Sequence, residues 1–300
     1  GPGLSVRAGS VRIDTALGFL RFTLESTAAT SGRTGSLAVI RGNDASIAAG
    51  ILTFDAAPGP NFSSGSLVNG ASFVPGDTAP AAIYSLFGTN VAAGQQSATT
   101  LPLPTKLAGT TVRIQDSQGV TRDCAQFFTS RSQINFQIHP DTATGPGTIL
   151  VVRDDGTQHQ AAINVTRVAP GLFSINASGQ GIAAALALTI QGGSQTTSQV
   201  FRFDAGAGRI VPQPVDLSGA GKQVYLLLFG TGIRAFQGSV TATVGGMAVP
   251  VIGAAAQGQF VGLDQVNIGP IPVSLIGRGE VPVQLTVDGK AANTVTVAFR

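Results

Sequence analysis

The sequence predicts an all-β protein, a tandem pair of immunoglobulin-like β-sandwich domains with an additional small N-terminal β region. Three observations carry this. Short apolar runs, several alternating with polar residues, are punctuated along the chain by turn residues, with 40 Gly and 16 Pro dispersed among them. The stretch Ser132-Gln133-Ile134-Asn135-Phe136 returns as Asp264-Gln265-Val266-Asn267-Ile268, with the pattern Gln, β-branched, Asn, apolar. The flanks return too: Phe87-Gly88-Thr89 precedes the first copy and Phe229-Gly230-Thr231 the second, while Asp155-Gly156 and Asp288-Gly289 follow them. Copies a whole domain apart indicate a duplicated domain rather than a short-period solenoid.

In chain order, residues 1–66 form the N-terminal β region. Leu20-Arg21-Phe22-Thr23-Leu24-Glu25 places apolar residues on every second position, the period of a strand with one face covered. Further strands are expected over Ser10 to Asp14, Ser36 to Arg41 and Ser46 to Phe54, with turns at Ser31-Gly32-Arg33 and Gly42-Asn43-Asp44. A handful of short strands makes a marginal sandwich, so this part is expected to pack on its neighbour or on another copy. Pro58-Gly59-Pro60 through Gly65 reads as a linker.

The first sandwich spans 67–168, with strands over Ile83 to Phe87, Thr110 to Gln115, Ala125 to Thr129, Gln133 to Ile138, Thr148 to Arg153 and Ala162 to Val168. The second spans 169–300, opening at Ala169-Pro170-Gly171. Its strands are Val200 to Phe203, Val224 to Phe229, Ser239 to Val244, Gln265 to Ile268, Val281 to Val287 and Thr294 to Phe299. Gly181 to Ile190 has helix-compatible Ala and Leu, but Leu188-Thr189-Ile190 and the flanking glycines favour a buried strand. Val224 to Phe229, apolar throughout, reads as a central strand covered on both faces. Pro282 marks its strand as an edge strand or the start of one, because proline cannot donate a ladder bond.

Composition narrows the function. Charged residues are only 11% of the chain, against about a quarter in ordinary soluble domains, so Ser, Thr, Gln, Asn and Gly must make up much of the surface. Such a surface suits proteins exposed outside the cell or packed beside neighbours. The net charge of +3 is spread over single Lys and Arg positions with no basic block, which argues against nucleic acid. No apolar run reaches the roughly 18 residues of a membrane span, so no transmembrane segment is expected. Gly1-Pro2-Gly3 reads either as the end left by signal-peptide removal or as the scar of a cleaved tag. Localisation is expected to be extracellular or at the cell surface.

Several ordered motifs resemble a known family. Asn69-Gly70-Ala71-Ser72-Phe73, Leu86-Phe87-Gly88-Thr89-Asn90, Leu101-Pro102-Leu103-Pro104, Gln133-Ile134-Asn135-Phe136 and Ala169-Pro170-Gly171-Leu172-Phe173 are similar to the Solibacter-type C-terminal domain of acidobacterial secreted proteins. Phe229-Gly230-Thr231-Gly232, Gly262 to Asn267 and Ala291 to Val297 resemble its second half. The resemblance covers about residues 67–300 and implies paired immunoglobulin-like or TIG-like sandwiches at the C-terminal end of an exported protein. It implies no activity and no catalytic residue.

Candidate chemistry is sparse. No catalytic, cofactor-binding or metal-ligating residue is assigned, and no cofactor is expected. His139 and His159, the two histidines, read as loop residues with no Gly-x-Ser-x-Gly elbow beside them. Cys124, the single cysteine, reads as a buried thiol. Asp154-Asp155-Gly156 reads as an Asp-stabilised turn and not a calcium loop. Gly219-Ala220-Gly221-Lys222 precedes a strand, where a phosphate loop needs a helix. Tyr84, Tyr225, Phe127 and Phe128 read as packing residues before a sugar platform. Asn135 and Asn267, flanked by apolar residues, are expected to be buried structural ties, with the Phe-Gly-Thr turns as partners.

These readings converge on a non-catalytic extracellular structural or adhesive protein that self-associates by strand addition into a surface or filamentous assembly. The candidate assembly strands are Leu4 to Ile13, through Leu4, Val6, Val11 and Ile13, and Thr294 to Phe299, through Val295, Val297 and Phe299. The expected partners are other copies of the chain. The alternative is a glycan-binding accessory module, with polysaccharide as partner.

Overall fold

The strands pair in antiparallel ladders, some between hairpin neighbours such as Gly145–Arg153 with Gln158–Val165 and many between strands distant in sequence, and the fold is all-β. The computed structural model of the chain describes residues 4–14, 19–21, 24–26, 34–41, 44–53 and 59–300. Among them no α-helix occurs, and the helical turns are the 3-10 pieces Ser64–Ser66 and Val273–Leu275. The chain divides into two compact units, residues 1–59 with 155–157, and residues 60–154 with 158–300.

In the first unit three ladders are described. Leu4–Val6 pairs with Leu24–Ser26, Arg12–Asp14 with Phe19–Arg21, and Thr34–Arg41 with Asp44–Thr53. The single strand expected over Leu20 to Glu25 is therefore two strands in different ladders: Leu20 faces Ile13, whereas Leu24 faces Val6. Period-two alternation reports which face is covered, not which neighbour is hydrogen-bonded, so it runs through the break unnoticed. The turn at 31–33, residues 42 and 43, and residues 54 and 58 of the expected strand and linker lie outside the described residues.

The second unit holds two sandwiches. In the first, a sheet in the order Leu67–Asn69, Ile83–Phe87, Gln133–Gln137, Ala125–Thr129, Gln96–Ser97 faces a sheet in the order Lys106–Leu107, Thr110–Gln115, Gly145–Arg153, Gln158–Val165. Between them lie Leu67, Tyr84, Leu86, Val112, Ile114, Ile134, Phe136, Ile149 and Val151. Each such side chain contributes roughly 1.5–3 kcal/mol by leaving water. Thr121–Asp123 adds to the second sheet beside Thr110–Gln115.

The second sandwich repeats the scheme. Its larger sheet runs Ser194–Gln199, Ala185–Gln191, Gln223–Thr231, Asp264–Ile268, Val251–Ala256. Its smaller sheet runs Met247–Val249, Val240–Val244, Gly279–Val287, Lys290–Ala291, with Val295–Phe299 also on Gly279–Val287. A separate core contains Leu226, Leu228, Val266, Ile268, Val283, Leu285, Val295, Val297 and Phe299. The duplication extends to register: Gln133 stands opposite Phe87 and Gln265 opposite Phe229.

Two expectations are corrected by neighbours. Gly279–Val287 is interior to its sheet. Pro282 is tolerated because its carbonyl, which accepts the Gly245 N–H at 2.8 Å, faces the side where Val240–Val244 has already ended. The missing N–H on that side costs no ladder bond. Gln223–Thr231 is central, but within Val224 to Phe229 only Val224, Leu226 and Leu228 are buried, while Tyr225, Leu227 and Phe229 on the other face are half-buried. Gly181 to Ile190 resolves as the strand Ala185–Gln191.

The two sandwiches meet through backbone approaches that only glycine allows. A Cβ on Gly179 would lie 2.2 Å from the Ser72 carbonyl oxygen, one on Gly171 2.3 Å from Asn69 Oδ1, and one on Gly262 2.5 Å from the Ile83 side chain. Asn69 Nδ2 donates to the Ala169 carbonyl at 2.9 Å, the Ile83 N–H donates to Thr231 Oγ1 at 2.9 Å, and Lys290 Nζ donates to Asp77 at 2.6 Å and Thr166 Oγ1 at 2.9 Å. Gly179→Ala is expected to cost about 2–4 kcal/mol, combining left-handed strain with a backbone clash. Gly208→Ala, at a positive φ with open space around it, should cost only about 1–2 kcal/mol. Urea unfolding of the two variants checks this; equal losses would show that the close approach contributes nothing.

Candidate functional site

The repeated Gln and Asn form the same local pair in both sandwiches. Gln133 Nε2 donates to Asn135 Oδ1 at 2.8 Å, and Gln265 Nε2 donates to Asn267 Oδ1 at 2.8 Å. All four side chains are half-buried. Asn135 and Asn267 thus lie on the opposite face from Ile134, Phe136, Val266 and Ile268, with their neighbouring Gln as partner and not the Phe-Gly-Thr turns. The reason is the strand period: apolar neighbours at i±1 point into the core and leave residue i on the outer face.

More extensive polar ties are made by Asn69 and Asp264, which are buried, and by Asn293, which is half-buried. Asn69, 5% exposed, accepts the Ala71 and Ser72 N–H groups on Oδ1 at 2.8 and 3.1 Å while its Nδ2 crosses to Ala169. Asn293 does the corresponding work in the second sandwich, accepting the Leu172 N–H at 2.8 Å and donating to the Leu172 and Gly179 carbonyls at 2.9 and 2.7 Å. Asp264, the first residue of the second repeat, is wholly buried. It accepts the Ile233 and Arg234 N–H groups at 2.7 and 3.2 Å and Arg234 Nε at 2.5 Å. Burial pushes its carboxyl above the usual range against the pull of those donors. Of the three only Asn69 carried a local signal, an Asn beside glycine at a turn; Asp264 opens the strand Asp264–Ile268 and Asn293 lies between Ala292 and Thr294, with no turn pattern to mark them.

The groups that most often carry catalysis are scattered or held. His159 Nε2 lies 2.9 Å from the Phe62 carbonyl, its ring edge-on to Phe62, and it sits in the strand Gln158–Val165 rather than in a turn. His139 Nδ1 accepts the Asp141 N–H at 3.2 Å. Cys124 is fully buried, and burial pushes its thiol up to about 12. Asp155 Oδ1 accepts the Thr157 N–H at 2.9 Å, an Asx turn. Lys222 Nζ donates to Asp216 Oδ2 at 2.9 Å, and the strand Gln223–Thr231 follows directly. Tyr84 is a core residue whose hydroxyl donates to the Asp77 carbonyl, while Tyr225 lies half-buried in the other sandwich. Among the described residues no group of His, Cys, Asp or Glu is arranged to hold a metal ion.

A cleft of about 320 Å³ opens at the junction of the sandwiches beside Asn69, Asp77 and Lys290. Lys290 and Asn164 hold the Asp77 carboxyl below its ordinary range. A shallow basin of about 590 Å³ near His139 has its charges mutually paired, Arg113 with Asp123 at 2.8 Å and Arg122 with Asp116 at 2.5 Å.

The strand edges differ from expectation. Val295, Val297 and Phe299 are core residues at 0–1% exposure. Val295–Phe299 pairs with Gly279–Val287 on one side. On the other side Thr296 and Arg300 donate to Gly181 and Val215 carbonyls, while Ala183 and Val215 donate to Thr296 and Ala298. The segment has no open edge, because the end of an apolar strand is also what a sandwich needs to close its core. Leu4, Val6 and Ile13 lie in paired strands, and Val11 between them is 48% exposed. Within the second unit, the larger sheet of the second sandwich has open edges at Ser194–Gln199, exposed at every residue, and at Val251–Ala256, where Ile252 is 61% exposed.

No family model and no curated protein matches the chain. Solved structures similar to it include the following two. SGBP-B of the mixed-linkage glucan utilization locus of Bacteroides ovatus, in complex with a mixed-linkage heptasaccharide, shares 12% identity at a TM-score of 0.30. That match covers 99% of this chain and 59% of the other, so the chain spans little more than half of that protein's length. Domains 5-6 of the S-layer protein SbsC share 13% identity at a TM-score of 0.23, covering 80% of this chain and 98% of the other.

Two outcomes follow from these placements. Asn69→Ala strands two N–H groups and a carbonyl and should cost on the order of 2–3 kcal/mol, whereas Asn135→Ala removes one half-buried bond and should cost under about 1 kcal/mol. Chemical denaturation decides, and the reverse order would return the tie to Asn135. Cys124 should react with a disulfide reagent at pH 8 only at the rate of unfolding; labelling in native buffer at the rate of a free thiol would contradict its burial.

Proposed function

We propose that this chain is a non-catalytic extracellular structural or adhesive protein whose copies associate by strand addition into a surface or filamentous assembly. The observation that carries the reading is the larger sheet of the second sandwich, which ends on both sides in strands without a charged residue, Ser194–Gln199 and Val251–Ala256. An unpaired edge templates another strand, and proteins that must stay apart place charge or proline there. The charge-poor composition, 11% overall, supports the same reading. So does the tight joint between the sandwiches, which suits a load-bearing module. Membership of residues 67–300 in the Solibacter-type family, and export with it, belong to this proposal on the strength of the ordered motifs. No helix of the described residues is long and apolar enough to cross a membrane.

Sedimentation of the full chain over a wide concentration range, with electron microscopy of the same samples, tests the reading. Concentration-dependent growth into dimers and higher forms is expected. A monomer at every concentration, together with retention on immobilised polysaccharide, would replace it with the glycan-binding alternative.

A further inference from the structure

Most sheet ends in the second unit carry a device that discourages pairing. Lys106–Leu107, Gln96–Ser97, Leu67–Asn69 and Met247–Val249 are two or three residues long. Gln158–Val165 is approached by Phe62 and bonded by the Thr78 N–H at the Asn164 carbonyl. Val251–Ala256 is bulged between Val251 and Gly253, which twists its edge away. The hairpin Phe201–Asp204 with Arg209–Pro212 carries Arg202, Asp204 and Arg209.

Ser194–Gln199 has none of these. It is six residues long, regular against Ala185–Gln191 in every position, and free of charge, proline and glycine. Among the described residues no backbone group bonds its outer side. Which groups face outward follows from the turn. Gly192 and Gly193 have φ of 59° and 82°, so the hairpin closes on the pair Gln191–Ser194 with a two-residue primed turn. That pair exchanges hydrogen bonds inward, as do Thr196 and Ser198 by alternation, leaving Gln195, Thr197 and Gln199 with N–H and C=O turned out.

The residues that face outward are symmetric. From Gln195 to Gln199 the strand reads Gln, hydroxyl, Thr, hydroxyl, Gln in either direction. We propose that Ser194–Gln199 is a homotypic docking edge at which two copies of this chain pair antiparallel about a two-fold axis through Thr197, joining their larger sheets into one. This register sets Thr197 against Thr197 and Gln195 against Gln199, all of them residues whose bonding groups face outward. Threonine pairs and amide pairs across strands are favourable cross-strand contacts. The same symmetry makes the contact isologous, so it closes as a dimer. Gln195, Thr197 and Gln199 share their face with Ile190, Leu188 and Leu186, so pairing also sets two half-buried apolar stripes side by side.

The inference rests on the self-association reading, and three variants of the full chain separate the two. Cys124 is buried, so Thr197→Cys offers one accessible thiol. Across the axis the two Cα atoms would stand about 5.5 Å apart, inside the range a disulfide spans. Mild oxidation should give a covalent dimer from Thr197→Cys and little from Ser198→Cys, whose partner is Thr196. Thr197→Lys, which sets two like charges face to face, should weaken dimerisation at least tenfold by sedimentation. Assembly of the Lys variant at wild-type strength, or equal cross-linking of the two Cys variants, would overturn the edge or its register while leaving self-association intact. A wild-type chain that is monomeric at every concentration would overturn both.

Discussion

Everything in the second unit depends on how closely two sandwiches approach at Asn69. Its amide satisfies two N–H groups of its own turn and reaches across to Ala169, and the Gly171 backbone lies so near that any side chain there would meet the amide. A buried amide is costly unless fully bonded, so these contacts stand or fall together. Thr231 repeats the logic a short distance away, accepting the Ile83 N–H and donating to Gly262. Parts of four of the motifs that resemble a family, Asn69-Gly70-Ala71-Ser72-Phe73, Ala169-Pro170-Gly171-Leu172-Phe173, Phe229-Gly230-Thr231-Gly232 and the segment opening at Gly262, meet at this joint. Their chemistry is that of fixing one domain against the next, which explains why they include glycine, asparagine and threonine and lack a nucleophile or base.

With the joint fixed by backbone and amide contacts, the remaining surface is released from a structural role. The sheets keep their cores through Leu, Ile, Val and Phe, and the strand exposed at every residue, Ser194–Gln199, is built of Ser, Thr and Gln. Low charge is then a consequence with a cost, because edges without charge pair readily. Short strands, bulges and covering segments restrain most of them. The restraint is missing at one hairpin, and there the strand is symmetric in sequence.

Much of the architecture was legible in the residues. Ile83–Phe87, Thr110–Gln115 and Ala125–Thr129 appear with their expected limits, since each alternates or packs an apolar face between clear turn residues. Ser194–Gln199 escaped notice because Ser-Gln-Thr-Thr-Ser-Gln has no apolar period: both of its faces meet water, and a strand held only by its neighbour leaves no hydrophobic trace. Gln96–Ser97 escaped for the same reason, and Lys106–Leu107, where Leu107 is buried, because two residues are too few to show a period. Val295–Phe299 was legible as a strand but not as a covered one, since the residues that bond its far side come from 181–183 and 215.

The Gln-x-Asn repeat shows the division most plainly. By itself the sequence determined that the chain holds two copies of a β domain, that they share a register-bearing strand, and that little of the inventory suits catalysis. Periodicity and duplication are properties of neighbouring residues, so they survive in one dimension. Only the tertiary structure decided that Asn135 and Asn267 lie on the outer face beside their Gln partners, that Asn69 and Asp264 are the buried ties with Asn293 half-buried in a matching role, and that Ser194–Gln199 is an open edge. Each of those depends on which distant backbone arrives at a given group, and a hydrogen-bond partner a hundred residues away leaves no mark on local pattern.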